Sequence, residues 1–418
     1  MYQERIKIDW WTVAIWAVLA LFGVMNIYSA TYTGDGSSLF SFHTYSGKQL
    51  VWIGVSLVVA ALILFSDARF YSNAAYPIYA AVMVLLVATL FLAVTVKGGS
   101  SWIKFKDMSF QPTEFAKFAT ALALAKFMSA IDLDWSQLHN KLIALVLIAV
   151  PAVLIFLQHD TGSALVFLAF VLPLFREGLS GAILVVGVAA VVLFVLALVV
   201  NKYVLVGALV VVAVLYLFVW LNKRTSKDWW RTIGVLLLCV AFVFSVDMVF
   251  NHVLEPHQRE RIDVLLGKSE DLRGSGYNVN QSKIAIGSGG LVGKGYLGST
   301  LTKANFVPEQ HTDFIFCTVG EEWGWIGSTL VVALYVWLLV RLVTMAERQR
   351  STFSRVYGYS VASILFLHLF VNIGMVLGLV PVIGIPLPFL SYGGSSMLGF
   401  TILLFIFIRL DATKNQLY

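Results

Sequence analysis

The chain has 418 residues, 59% of them apolar and 12% charged, with a mean hydropathy of +0.85. That composition excludes a water-soluble globular protein, whose surface needs far more polar residues, and makes lipid the solvent. The net charge of +6 does not point to nucleic acid, because no basic stripe or soluble domain exists to carry one; basic membrane-flanking loops account for it.

The first apolar run, residues 10–29, follows MYQERIK and is too long for a cleaved signal segment, so it reads as a retained helix. Further runs begin near Gln49, Ala74, Pro112, Leu142, Thr161, Leu179, Tyr203, Thr232, Asp313, Val356 and Leu387. Most reach the roughly 20 residues that cross a bilayer, which predicts an all-α polytopic bundle of about twelve transmembrane helices occupying residues 1–418 as one membrane domain. The runs at 142–157 and 161–175 are short and meet at Gln158-His159-Asp160, so a re-entrant hairpin is the alternative there. Cys239 and Cys317 sit in apolar runs without CxxC spacing, and two buried thiols are expected.

A cytoplasmic N-terminus puts Arg5, Lys7, Arg69, Lys126, Arg176, Lys223, Arg224, Arg348, Arg409 and other basic residues inside. Only Lys48, Lys97, Lys104, Lys106 and Lys202 then fall in short outer loops, and the positive-inside rule selects that orientation with both termini inside. The hydrophilic segment 255–312 consequently lies outside, away from cytosolic ATP. Loops that long usually carry function, a plain tether being the alternative. No repeat is visible that would favour an inverted-repeat transporter.

Four polar clusters stand out. The first runs from Lys97 and Trp102 to Gln111-Pro-Thr-Glu114-Phe-Ala-Lys117, with Pro112 suited to a first helical turn. Glu114 and Lys117 are three apart and share a helix face in or beside the membrane. They form either a self-neutralising pair or, at a helix N-terminus, a site for an anion such as phosphate. Trp102 suits a membrane-belt anchor as well as a sugar platform. The second cluster, within the outer loop, contains Asp271, Arg273, Tyr277, Gln281, Ser282 and Lys283; a lone loop aspartate is usually just solvated.

The glycines that follow include Gly293-Lys-Gly-Tyr-Leu-Gly298, a GxGxxG without βαβ context, and these read as turns rather than a phosphate loop. The third cluster is Pro308-Glu-Gln-His311-Thr-Asp313, followed by Glu321 and Glu322. Thr312 or Asp313 suits a helix cap, and no third ligand completes a metal site with His311 and Asp313. The fourth, Asn372 to Ser396, has Pro381, Pro386 and Pro388 with Ser391 beyond them. Backbone broken at membrane depth lines a cavity or is buried in protein, and close helix packing is the competing view.

Taken together, Gln111 to Lys117, Gln158-His-Asp-Thr-Gly162, Gly274 to Tyr277 with Gln281 to Lys283, Pro308 to Phe316 and Pro381 to Ser396 resemble, in order, the motifs of the SEDS family. The chain is most similar to its elongation-type members. The resemblance implies a peptidoglycan glycosyltransferase that polymerises lipid II. It also implies a class B penicillin-binding protein and elongation-complex membrane proteins as partners, with membrane lipid around it in the bacterial inner membrane.

It implies Asp271 as the catalytic base, with Trp102, Glu114 and Lys117 lining or bordering the same cavity; Gln111, Arg273, Tyr277, Gln281, Ser282, Lys283, His311, Asp313 and Ser391 are the further substrate-binding candidates. No tightly bound cofactor is expected, though a loosely held divalent cation, Mg or Mn, would suit the pyrophosphate. Departures are Thr113 for Ser, Ser101 for Arg and His159 for Pro, and a span count of twelve against the family's ten. The two extra helices fall within 179–254, where Asp247 has no family role to inherit. A precursor flippase and a division-type polymerase are the rival readings.

Overall fold

Apolar length decides the architecture. The computed structural model describes residues 7–32, 38–96, 99–105, 108–130, 134–135, 137–220, 225–252, 256–266, 275–304 and 306–414. Among these, ten helices are long and apolar enough to cross a bilayer. All twelve expected runs appear as helices. The two outside the ten are α5 (Pro112–Met128), which is 17 residues long, and the broken run Thr161–Arg176. That run is made of α7 (Thr161–Leu165), a 3-10 helix (Val166–Phe170) and α8 (Val171–Arg176). Before it, α6 (Leu138–Leu157) has 20 residues, roughly 30 Å at the helical rise, a full-length helix and not the arm of a re-entrant hairpin.

Packing divides the chain into two compact units, residues 1–178 with 277–418, and residues 179–276. In the first unit, α1 (Trp10–Thr31), α2 (Tyr45–Phe65), α3 (Ala68–Asn73), α4 (Ala75–Leu92), α5 and α6 are joined by α13 (Ser275–Ser288), α14 (Ile315–Glu347), α15 (Thr352–Val376) and α16 (Gly394–Ala412). A three-stranded antiparallel sheet, β1 (Val94–Val96), β2 (Gly99–Phe105) and β3 (Met108–Phe110), leads into α5. The centre is α5, α15 and α16, which are mostly buried, whereas α4 and α6 bury only 22% of their spans and present the rest as lipid-compatible surface.

Small residues let the central helices approach closely. The alanines of α5 from Ala116 to Ala125 are buried, and a Cβ on Gly399 of α16 would come within 3.2 Å of Glu114. Trp16 of α1 completes the core, donating its Nε1–H to Thr401 Oγ1 at 3.1 Å and meeting Phe405 edge-on at 5.3 Å.

Gly324 breaks α14 with φ +62, a conformation that favours glycine. The loop after α13 seats in that break. Lys294 and Gly295 donate their N–H groups to the carbonyls of Glu321 and Glu322, and Trp325 and Ile326 donate to Gly290 and Leu291. The expected turn glycines therefore do more than turn: a Cβ on Gly293 would sit 2.1 Å from Glu322 O. Glu321 secures the same loop, its carboxylate receiving Lys294 Nζ, the N–H groups of Thr300, Leu301 and Thr302, and two threonine hydroxyls. Cap residue Phe314 gives α14 no side-chain cap, correcting the expectation for Thr312 and Asp313. Thr312 instead donates its hydroxyl to Glu309 at 2.8 Å.

The second unit contains α9 (Gly181–Val199), α10 (Lys202–Leu215) continued by a π-helical turn (Tyr216–Trp220), α11 (Ser226–His252) and α12 (Pro256–Leu265). Its three spans bury 11% or less of their length, as expected of helices that are apolar all round. Asp247 finds its partner here, a Lys202 Nζ contact of 2.9 Å between the start of α10 and the end of α11. Cys317 is buried but Cys239 is only half-buried, because it lines a cleft with Leu209, Tyr216 and Arg231. Among the described residues of the hydrophilic segment 255–312 are two helices, α12 and α13.

Candidate functional site

The site grows from the first turn of α5. Gln111 precedes the helix, Pro112 opens it without wasting an N–H group, and Glu114 sits in the first turn where the helix dipole favours an acid. One turn on, Lys117 Nζ lies 2.8 Å from Glu114 Oε2, both side chains at most 3% exposed. The same ammonium is 3.1 Å from His368 Nε2 on α15 and 4.3 Å above the Phe400 ring of α16. Lys117 thus stands where the three central helices meet, its Nζ in contact with Glu114, His368 and Phe400.

Gln111 links two other motifs. Its Nε2 donates to Asp160 Oδ2 at 3.0 Å, and its backbone N–H to Ser395 Oγ at 3.1 Å. Asp160 caps α7, accepting Ser163 N–H at 3.0 Å and Ser163 Oγ at 2.9 Å. Gly162 lies so close to the proline-rich segment that a Cβ would come 2.7 Å from Ile383 O.

Residues 377–393 between α15 and α16 have no regular helical ladder; backbone turns pair the N–H groups of Leu377 to Val380, Leu390 and Ser391, and side chains hold several of the remaining peptide groups. Asn372 Nδ2 donates to Ile385 O and to Asp313 O, both at 2.8 Å. His368 Nδ1 is 3.0 Å from Pro386 O, Tyr335 donates to Pro388 O, and Ser391 Oγ accepts Leu387 N–H at 2.8 Å. Gln49 of α2 accepts Gly393 N–H at 3.2 Å and donates to Ser391 O at 3.4 Å. From Ile385 to Ser391 the irregular backbone is mostly buried and held by these contacts, whereas residues 377–384 are half-buried or exposed.

The turn before α14 joins this frame. Tyr392 donates its N–H to His311 O at 2.9 Å, and the His311 ring packs against Tyr45 at 4.4 Å and Tyr392 at 5.8 Å. Asp313 reaches the frame through its carbonyl, while its Oδ2 lies beside Gly384.

From α13, Ser282 is buried and donates to Val376 O at 2.7 Å, so its hydroxyl is a packing contact more than a free ligand group. The neighbouring Lys283 is exposed, its ammonium lying over Gly378, and Tyr277 and Gln281 are half-buried. Trp102 is half-buried on β2 opposite Val94, and that strand is tied to the C-terminal end of α6 by Ser100 N–H donating to Gln158 O at 2.9 Å. The expected residues Asp271 and Arg273 lie outside the described residues.

The structure thus joins Gln111, Glu114, Lys117, His311, Asp313 and Ser391 through one proline-rich frame. Sequence reasoning missed His368 and gave no site role to Asp160, Gln49, Asn372 or Ser395. The signal for His368 was available, since a lone ionisable residue inside an apolar span is a functional candidate by default.

A model of the cell cycle protein family of FtsW, RodA and SpoVE matches residues 9–206 and 188–416. The peptidoglycan glycosyltransferase MrdB of Escherichia coli K12 is 34% identical over 398 residues, covering 95% of this chain and 91% of its own length. The peptidoglycan glycosyltransferase RodA of Treponema pallidum is 29% identical, covering 91% of this chain and 92% of itself. A solved chain from a peptidoglycan synthase complex that coordinates polymerization and crosslinking superposes with a TM-score of 0.71 at 26% identity, covering 98% of this chain and 99% of that one. Matched over nearly its whole length, the chain belongs to the FtsW, RodA and SpoVE family of cell cycle proteins, the SEDS family.

Proposed function

We propose that this multi-pass peptidoglycan glycosyltransferase polymerises lipid II during cell elongation, on the outer face of a bacterial inner membrane with both termini cytoplasmic. The observation that carries the reading is Lys117, a buried cation one turn inside a helix N-terminus, beside a broken segment built into the same frame as the outer-loop turn. That arrangement suits a lipid-borne pyrophosphate.

Both substrates hang from lipid, so a site facing the bilayer brings them together in two dimensions and proximity supplies much of the acceleration. In the reaction, a sugar hydroxyl oxygen forms a bond to the anomeric carbon while the bond from that carbon to the pyrophosphate oxygen breaks with inversion. Asp271 accepts the hydroxyl proton, and one carboxylate suffices for a single displacement. The departing electron pair settles on undecaprenyl pyrophosphate, whose charge is met by Lys117, Arg273 and Lys283. A divalent cation such as Mg2+ or Mn2+, were one to travel with the pyrophosphate, would add positive charge at the same oxygens. A class B penicillin-binding protein that cross-links the product is the partner this reading requires.

The test is polymerisation of purified lipid II by the chain co-purified with its class B partner, read on a glycan-resolving gel. Wild type should give polymer and a folded Asp271→Asn variant none. Polymer from both would remove Asp271 as base; none from a folded wild-type complex would overturn the assignment and favour transport of the precursor.

A further inference from the structure

The reaction just described leaves His368 unused, yet this side chain is 1% exposed in the middle of α15 and both its ring nitrogens are engaged. Nδ1 lies 3.0 Å from Pro386 O and Nε2 lies 3.1 Å from Lys117 Nζ. Phe400 meets the ring edge-on at 4.8 Å and 88°, and the same Phe400 face lies under the Lys117 ammonium. A ring held this way has one orientation. Its tautomer follows from its partners: a carbonyl oxygen can only accept, so the proton sits on Nδ1 and donates to Pro386 O. The Nε2 lone pair is then free to accept from the lysine.

A neutral acceptor is what this position needs. Glu114 already balances the charge of Lys117, and a second carboxylate would leave excess negative charge where a pyrophosphate must approach. An apolar residue would leave one ammonium N–H unpaired in a dry site.

We infer that His368 is a positioning residue for catalysis: it fixes the Lys117 ammonium between Glu114 and the proline-rich segment, so that the cation is already in place when charge develops on the leaving pyrophosphate. The inference rests on the proposed role of Lys117 in stabilising that group. It also accounts for the division of partners. Glu114 and His368 engage Nζ at hydrogen-bond distance, while the Phe400 ring lies 4.3 Å from it, the contact most readily exchanged for a phosphate oxygen.

Two near-isosteric substitutions separate the two ring nitrogens. His368→Gln keeps an acceptor near Nε2 and loses the Nδ1 donor; His368→Asn keeps the donor near Nδ1 and loses the acceptor; His368→Leu loses both. The readout is the initial rate of lipid II polymerisation by the partner complex across a range of lipid II concentrations, with thermal unfolding as the folding control. His368→Asn and His368→Leu should lower kcat by about 10- to 100-fold with little change in KM, since misplacing a catalytic group by about 1 Å costs on that order. His368→Gln should recover most of the rate.

In a Lys117→Met background, adding His368→Leu should lower the residual rate no further. Asn and Gln variants of equal activity, or a full additional loss in the Lys117→Met background, overturns the inference. Should the Leu variant fail to fold, or Lys117→Met leave no measurable rate, the order of Gln over Asn decides. Full activity of Lys117→Met alone instead removes the underlying role of Lys117, an outcome visible without touching His368.

Discussion

Glu321→Ala tests how the loop between α13 and α14 is held. The carboxylate is fully buried, and its two oxygens collect Lys294 Nζ at 2.7 Å, the N–H groups of Thr300, Leu301 and Thr302 at 2.8, 3.0 and 3.0 Å, and the hydroxyls of Thr300 and Thr302 at 3.1 and 2.9 Å. Hydroxyls and the lysine can turn to water, but the three backbone N–H groups cannot. Each unsatisfied buried donor costs about 1–3 kcal/mol, and because Thr300 is exposed the lower bound applies, giving about 3 kcal/mol in all. At about 1.4 kcal/mol per factor of ten, local opening of the loop becomes about 100-fold more populated.

Trypsin cleavage after Lys294 and Lys303, followed by mass spectrometry under conditions where closing outpaces cutting, reads that population. The variant should be cut about 100-fold faster at both lysines. Glu321→Gln should fall between, because its amide keeps one acceptor oxygen while its NH2 group faces an N–H donor. Cleavage within about threefold of wild type in the Ala variant would refute the clamp.

Gly162→Ala should destabilise the first unit by about 1–3 kcal/mol, since its Cβ would meet Ile383 O at 2.7 Å and two isoleucine methyls at 3.1 Å; thermal unfolding checks this, and polymerisation should fall with it. Two ion pairs should behave unequally. Arg348→Met takes the paired cation from Asp411, which is 2% exposed and keeps the Gln349 Nε2 hydrogen bond at 2.7 Å, and should cost about 3 kcal/mol. Arg176→Met breaks a pair with Glu347 in which both side chains are nearly half exposed, and should cost under about 1 kcal/mol in the same unfolding assay.

The spans were legible because a bilayer makes apolar length nearly the sole requirement for a helix to cross it. The least apolar run, α5, was legible for a different reason. Its glutamine, proline, glutamate and lysine form a recognisable polar start, and its alanines, weak as a hydropathy signal, suit a helix surrounded by protein. The broken backbone after α15 was readable from its prolines. What holds it was not, because the partners are distant in sequence: Lys117 and His368 are 251 residues apart, and Gln49 and Gly393 are 344 apart.

Glu321 and Glu322 looked like a pair of ionisable candidates, and only the return of the loop from α13 reveals the first as a clamp. The cap of α14 was misread because the hydroxyl of Thr312 is already committed to Glu309. For Asp271 and Arg273 the family resemblance is the whole support.

The proline-rich frame has a consequence for heredity as well as for shape. Its peptide groups are satisfied by Gln49 from α2, Tyr335 from α14, and His368 and Asn372 from α15. Groups that share one support do not contribute independently, so once one is lost the others hold less. In a pairwise mutational scan these four positions should show strong epistasis with one another and little with the exposed faces of α4 and α6. They would be inherited as a single trait spread across three helices.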